Sequence, residues 1–117
     1  MNDKKLIGRE GEAEAARYLK SKGYKVIGLN WACRFGEIDV IAEKDGYIVF
    51  AEVKTRKSAD FAAAMEFVTA AKRERLRSAA SMYLQSHDTE KQPRFDVIEI
   101  YTGGAKPAVN HIENAFE

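Results

Sequence analysis

The apolar positions near the start of the chain recur at helical spacing. Ala15, Ala16 and Leu19 fall on one side of a helix, because residues three and four apart lie on the same face. This pattern predicts a helix from about Asp3 to Lys22, and Gly23 ends it in the manner of a C-terminal cap.

Shorter runs with β-branched and aromatic residues then predict strands. The predicted strands are Tyr24–Trp31, Glu37–Ala42, Tyr47–Thr55, Phe95–Tyr101 and a short final one at Val109–Ile112. The segment Glu43–Gly46 predicts a hairpin turn, for which its Asp-Gly pair is the clearest signal. His87–Pro93 is predicted to be a polar loop, and Gly103-Gly104 a turn.

Thr69 is a candidate N-cap for a second helix that runs to about Ser86. The apolar stripe of that helix consists of Leu76, Ala79, Ala80, Tyr83 and Leu84. Lys57–Phe67 fits a helical turn or a loop equally well. The order helix, three strands, helix and one or two strands predicts an α/β fold in which helices cover a mixed central sheet.

The composition is that of a globular domain. The chain has 117 residues, of which 45% are hydrophobic and 32% charged, so we expect a single domain over residues 1–117. The longest apolar stretch, Tyr47–Ala51, is too short to cross a bilayer, and the first residues lack a secretory signal. Cys33 is the only cysteine, which favours a reducing compartment. We expect a cytoplasmic protein without membrane contact.

The formal net charge of +1 is lower than that of most dedicated nucleic-acid-binding proteins. The basic residues are nevertheless clustered. One cluster consists of Lys54, Arg56 and Lys57, and the other of Lys72, Arg73, Arg75 and Arg77. A local basic patch attracts phosphates even when the total charge is near zero.

Charged residues interrupt the apolar stripes of both predicted helices. Glu12 lies in line with the stripe of the first helix. Lys72 lies in line with Val68, Leu76 and Ala79 on the second helix. Charged groups in such places are normally paired, neutralised or bound to metal.

The predicted strands carry charges in the same way. Alternate residues share a strand face, so Glu52 and Lys54 continue the face that begins with Ile48 and Phe50. On the preceding strand, Asp39 is predicted to point with Glu37 and Ile41, and Ile38 and Val40 to point to the opposite face. The hairpin places Asp39 and Glu52 on adjacent strands, within reach of one ion.

Converging carboxylates repel one another unless a cation lies between them, and Mg²⁺ prefers a few carboxylates together with water and phosphate oxygens. Such an ion activates water and stabilises charge on a phosphate, and a nearby lysine assists. A phosphodiesterase site is therefore one interpretation. The alternative for each residue alone is a solvated surface charge, which is the interpretation we adopt for Glu37 and Glu43.

The order of Glu12, Asp39, a hairpin and then Glu52-x-Lys54 resembles the PD-(D/E)xK nuclease superfamily, with Ile38 in place of the proline. A longer set of motifs resembles the bacterial UPF0102 (YraN-like) family. These motifs are Gly8–Glu12, Gly23-Tyr24, Asn30-Trp31, Gly36–Asp39, Phe50–Arg56, Lys72, Arg94–Asp96 and His111–Phe116. The eleven-residue spacing from Glu12 to Gly23 is also similar to that of archaeal Holliday-junction resolvases.

The resemblance implies a restriction-endonuclease-like αβββαβ core. It implies Glu12, Asp39 and Glu52 as ligands of Mg²⁺ or Mn²⁺, Lys54 as a catalytic residue and Lys72 as a supporting one. The carbonyl of Val53 is a candidate for one more ligand oxygen. Candidate phosphate contacts are Arg9, Arg34, Arg56 and Lys57, for which a solvated surface position is the alternative.

Three functions remain open from the sequence. The first is an endonuclease that acts on branched or otherwise structured DNA, for which a homodimer is plausible because resolution of a junction needs two sites. The second is a nucleic-acid-binding module with little catalysis inside a repair or recombination complex. The third is a protein-interaction domain in which the charged residues form a buried ion-pair network. Trp31 and His111 are interpreted as packing residues.

Overall fold

The computed structural model describes residues 3–56 and 68–117, with side chains from residue 9 onwards. The elements are α1 (Asp3–Ser21), β1 (Lys25–Cys33), β2 (Gly36–Lys44), β3 (Tyr47–Arg56), α2 (Ala70–Ser86), β4 (Gln92–Tyr101) and β5 (Ala108–Phe116). They follow the predicted order. The ambiguous segment Lys57–Phe67 lies outside the described residues. No helix in the described ranges is long and apolar enough to cross a membrane.

The five strands form one mixed sheet in the order β1-β2-β3-β4-β5. Strands β3 and β4 are parallel, and the other neighbouring pairs are antiparallel. A parallel pair needs a crossover connection, and α2 lies within that connection. The predicted α/β class is confirmed, and the architecture is compatible with a restriction-endonuclease-like core.

Two apolar layers hold the helices on the sheet, and β3 contributes to both. Its residues Val49 and Ala51 belong to a buried cluster with Ala15 and Leu19 of α1. Its residues Ile48 and Phe50 belong to a second cluster with the α2 residues Leu76, Ala79, Ala80 and Tyr83. The predicted alternation along β3 and the predicted apolar stripes of both helices are therefore confirmed.

Local signals end and begin the elements as predicted. Gly23 follows the last turn of α1 and has φ +90°, a backbone angle at which residues other than glycine are strained. The Thr69 side chain accepts a hydrogen bond from the Lys72 amide at 3.2 Å and caps α2. Asp45 and Gly46 both have positive φ in the β2–β3 turn, which is the backbone that a two-residue hairpin favours.

The last two strands are longer than predicted. β4 begins at Gln92, inside the predicted loop. Pro93 is compatible with this start because it is exposed near the first residue of the strand, where a missing N–H is tolerated. β5 continues to Phe116. Its residue Asn114 has φ 50°, and its amide donates to Oδ1 of Asp96 at 3.0 Å. This side-chain acceptor keeps the irregular end of β5 against β4.

The predicted faces of β2 are wrong on one point. Ile38 and Ile41 both pack in the α2-side cluster, whereas Val40 packs in the α1-side cluster. Strict alternation would place Ile41 with Asp39, away from Ile38 and Val40. The alternation of faces therefore shifts by one residue next to Asp39.

Candidate metal centre

Strands β2 and β3 separate at the ends that lie away from the turn that connects them. Their pairing runs from Lys44 and Tyr47 to Val40 and Ala51. Beyond that point, residues 36–38 of β2 pair with β1, and residues 52–56 of β3 pair with β4. The separation opens the sheet, and the predicted acidic residues lie at this opening.

Asp39 lies in the opening itself. Its Oδ2 accepts a hydrogen bond from the backbone amide of Val53 at 2.8 Å, so a side chain bridges the two strands where their backbone ladder has ended. Burial is the main cause that raises the pKa of Asp39 to about 8, and the negative charges of Glu52 and Glu12 raise it further. The ionised form of Asp39 is therefore unfavourable without a nearby cation.

Glu12 reaches the opening from α1, and the close approach of that helix depends on Gly11. A Cβ atom on Gly11 would lie 2.1 Å from Oγ1 of Thr55 on β3, so any other residue there would force the Thr55 side chain or the helix to shift. Burial raises the pKa of Glu12, and hydrogen bonding with Asp39 and Asn30 partly offsets that effect. The charge predicted to interrupt the helical stripe therefore meets Asp39.

Glu37 is the residue that the sequence interpretation missed. Glu12, Glu37 and Asp39 each offer a carboxylate oxygen, and these oxygens lie within 4.8 Å of one another. Glu37 is exposed, as expected for a surface residue, but its carboxylate belongs to this acidic group. Its position two residues before Asp39 on one strand was the available signal.

Glu52, Lys54 and Lys72 meet on the α2 side of the same opening. Nζ of Lys54 lies 3.2 Å from Oε1 of Glu52, and both side chains are largely buried. Hydrogen bonding with Lys54 is the main cause that lowers the pKa of Lys72, with burial as the second cause. Glu52 and Lys72 also line a cleft of about 250 Å³ together with Gly36, Glu37, Arg75 and Leu76.

The candidate phosphate contacts are spread out. Arg9 and Arg34 are exposed, Arg56 is half-buried, and Lys57 lies outside the described residues. The backbone carbonyl of Arg56 accepts from the Thr102 amide at 2.8 Å, which anchors the end of β3 to the end of β4. The Val53 amide is committed to Asp39, and the ligand role of the Val53 carbonyl stays a prediction.

A second polar cluster joins residues of two predicted motifs, Arg94–Asp96 and His111–Phe116. Asp96 is fully buried and accepts two hydrogen bonds from Arg94, both at 2.9 Å. Its Oδ2 also lies 2.6 Å from Nε2 of His111. His111 thus joins β5 to β4, in agreement with its predicted packing role.

Trp31 packs edge-to-face on Tyr83, with the ring centres 5.3 Å apart, so it also occupies a packing position.

The donor set at the opening fits a hard divalent cation. Three carboxylates share a small region, and one of them carries a strongly raised pKa. Mg²⁺ and Mn²⁺ favour carboxylate oxygens, whereas Zn²⁺ favours imidazole and thiolate ligands. The residues present therefore suit Mg²⁺ or Mn²⁺ on chemical grounds.

The fold and this opening define a mixed α/β protein with an acidic group between two separating strands. The chain belongs to the UPF0102 family. The sequence model of that family, described as "Uncharacterised protein family UPF0102", matches residues 11–100.

Several relatives of this family match the chain over most of its length. The chain is 45% identical to a UPF0102 protein of Caldanaerobacter subterraneus subsp. tengcongensis, with 97% of each chain covered. It is 40% identical to a UPF0102 protein of Myxococcus xanthus, with 98% of this chain and 92% of the relative covered. It is 39% identical to a UPF0102 protein of Nocardia farcinica, with 99% and 93% covered.

Proposed function

We propose that this protein is an endonuclease that depends on Mg²⁺ or Mn²⁺ and hydrolyses phosphodiester bonds in structured, branched DNA. The observation that carries the proposal is the grouping of Glu12, Glu37 and Asp39 within 4.8 Å at the opening of the sheet. The raised pKa of Asp39 supports it, because a bound cation would relieve the cost of ionising that carboxyl.

In this proposal Asp39 and Glu52 hold the ion, Glu12 binds directly or through water, and Glu37 extends the ligand set. A divalent ion bound there supplies an activated water and neutralises charge on the phosphate. Lys54 orients the attacking water or stabilises the developing charge on the phosphate, as a preorganised cation does in a partly desolvated site. Lys72 supports it from α2.

The charge distribution supports a nucleic acid as the substrate. Lys72 and Arg75 on α2 line the same cleft as Glu37 and Glu52. A phosphate backbone that enters this cleft meets cations on the helix side and the acidic group on the strand side. The low net charge of +1 fits modest intrinsic affinity, which a homodimer would increase by binding two arms of one junction.

A cleavage assay tests the proposal. Purified protein is incubated with labelled four-way junctions, flaps, duplexes and single strands, with Mg²⁺, with Mn²⁺ or with EDTA. We expect metal-dependent cutting of the branched substrates. Asp39→Asn and Lys54→Ala should lower the rate by roughly 100-fold or more, which is the usual effect of losing a group that stabilises the transition state.

Asp45→Asn is the matched control for Asp39→Asn. Asp45 lies in the turn at the other end of β2, is exposed and has a positive φ that asparagine also adopts. It should leave cleavage unchanged. Absence of cutting of every substrate by folded wild-type protein would reject the endonuclease. Salt-dependent binding without cutting would instead select the nucleic-acid-binding module, and light scattering of the free protein tests the homodimer.

A further inference from the structure

The tip of the β1–β2 hairpin presents an aromatic side chain to solvent. Cys33 and Gly36 pair across the hairpin, so Arg34 and Phe35 form its two-residue turn. Phe35 is 37% exposed, and in the described part of the chain it is one of three exposed large apolar residues. The other two are Leu29 and Tyr47. An exposed ring at the end of a hairpin is free to contact a ligand.

A cation accompanies this ring. The guanidinium carbon of Arg34 lies 4.9 Å from the centre of the Phe35 ring, and Arg34 is exposed. An aromatic ring stacks on any nucleobase, and an adjacent arginine contacts the phosphate of the same nucleotide or stacks beside it. The pair therefore has the chemistry of a binding site for single-stranded nucleic acid.

The hairpin tip lies close to the candidate metal centre. Phe35 is two residues from Glu37 and four from Asp39 on β2, which is roughly 13 Å along an extended strand at about 3.3 Å per residue. A Cβ atom on Gly36 would lie 3.9 Å from Cβ of Arg75, and Gly36 lines the same cleft as Glu52 and Lys72. A strand of nucleic acid that crosses the acidic group can therefore reach Phe35 within a few nucleotides.

We propose that Phe35 stacks on an unpaired base a few nucleotides from the scissile phosphate, while Arg34 holds the backbone of that nucleotide. This inference rests on the proposed endonuclease function and specifies its substrate as DNA with a single-stranded segment beside the cut. Bases inside a continuous duplex are already paired and stacked, so reaching one costs its unstacking. Flaps, forks and open junctions offer such a base without that cost.

A binding experiment separates this role from the chemistry. Fluorescence anisotropy is measured with a labelled fork and with a continuous duplex of equal length, with Ca²⁺ in place of Mg²⁺. We expect Phe35→Ala to weaken binding of the fork about tenfold, the usual effect of losing one stacking ring, and to change duplex binding less than twofold. Phe35→Tyr keeps the ring and should retain fork binding.

Leu29→Ala is the matched control. Leu29 is 48% exposed on the same hairpin, but it has no ring to stack on a base. This variant should bind both substrates like the wild type. A fork that carries 2-aminopurine in its single-stranded arm should show a change in fluorescence on binding wild-type protein. That change should be lost in Phe35→Ala.

Several results would overturn the inference. Equal loss of fork and duplex binding in Phe35→Ala would indicate a general structural effect. Unchanged fork binding would show that the ring does not stack, and an accompanying change in oligomeric state by light scattering would assign Phe35 to a protein interface. Neither result would decide the endonuclease function, which the cleavage assay with Asp39→Asn tests separately. Failure to bind any nucleic acid would reject both this inference and the proposed function.

Discussion

The contact between Gly11 and Thr55 gives the sharpest prediction about how the candidate site is positioned. Alanine in place of a glycine inside a helix normally stabilises it by about 1 kcal/mol. Here, however, the new Cβ would lie 2.1 Å from Oγ1 of Thr55, well inside the contact distance of two atoms. Overpacking of this kind costs about 1–3 kcal/mol. The net effect is the difference between these two terms, so we expect Gly11→Ala to lower the free energy of unfolding by up to about 2 kcal/mol.

A double-mutant cycle isolates this contact. Thr55→Ala removes the hydroxyl and the methyl group, and the closest remaining Thr55 atom, Cβ, would be 3.4 Å from the new Cβ, an ordinary contact distance. In that background, Gly11→Ala should be neutral or stabilising by up to about 1 kcal/mol, so the coupling energy should be about 1–3 kcal/mol. Urea denaturation followed by circular dichroism measures all four proteins.

The same substitution also has a consequence at the candidate site. Glu12 follows Gly11 directly, so a shift of α1 away from β3 moves its carboxylate away from Asp39. Gly11→Ala should therefore weaken Mg²⁺ or Mn²⁺ binding, as measured by calorimetry, and the double variant should recover it. If the single variant Gly11→Ala, which keeps Thr55, were more stable than the wild type, the close packing of α1 on β3 would be refuted.

Further outcomes follow from three polar side chains, Asp96, Asp39 and Thr69. Asp96→Ala should lower the free energy of unfolding by about 3–5 kcal/mol, because Arg94 and His111 lose a shared buried acceptor; a loss below about 1 kcal/mol in urea would contradict this. The pKa of Asp96 is lowered from 3.8, so its stabilisation is present above about pH 4 and is lost as the pH falls through the folded-state pKa. The pKa of Asp39 is raised from 3.8 to about 8, so the metal-free protein should lose stability as the pH rises towards 8. Asp39→Asn should remove that loss in thermal melts with EDTA, and equal pH profiles of the two proteins would argue against a desolvated carboxyl. Thr69→Ala should cost about 1 kcal/mol by removing the α2 cap, measured by thermal unfolding against an exposed Ser81→Ala control.

Features with local causes were predictable from the sequence. The apolar stripe with Ala15 and Leu19, the Thr69 cap and the Asp45-Gly46 turn each depend on neighbouring residues alone. The two-sided burial of β3 was also visible, because a central strand is apolar on both faces until its charged end. Charges in line with apolar stripes then indicated which side chains needed partners, and the structure brings Glu12 and Asp39 together.

Features with distant causes were not predictable. The length of β5 depends on Asp96, which lies on another strand and accepts from the amide of Asn114. The alternation of faces in β2 shifts where its pairing with β3 ends. The position of that end is not encoded by any pattern within β2. Glu37 is an exception, because its position two residues before Asp39 on one strand is a local signal that the two carboxylates share a face. It is exposed, but a carboxylate can join an acidic group without being buried.

The hydrogen bond between Asp39 and Val53 turns one backbone amide into an internal reporter. The Val53 N–H has a carboxylate oxygen as its acceptor, where an uninterrupted ladder would use a carbonyl group of the neighbouring strand. Any ligand that draws electron density from that carboxylate, or pulls it aside, must change the environment of this amide. The ¹⁵N resonance of Val53 should therefore register occupancy of the acidic group directly, even under conditions in which no bond is cut.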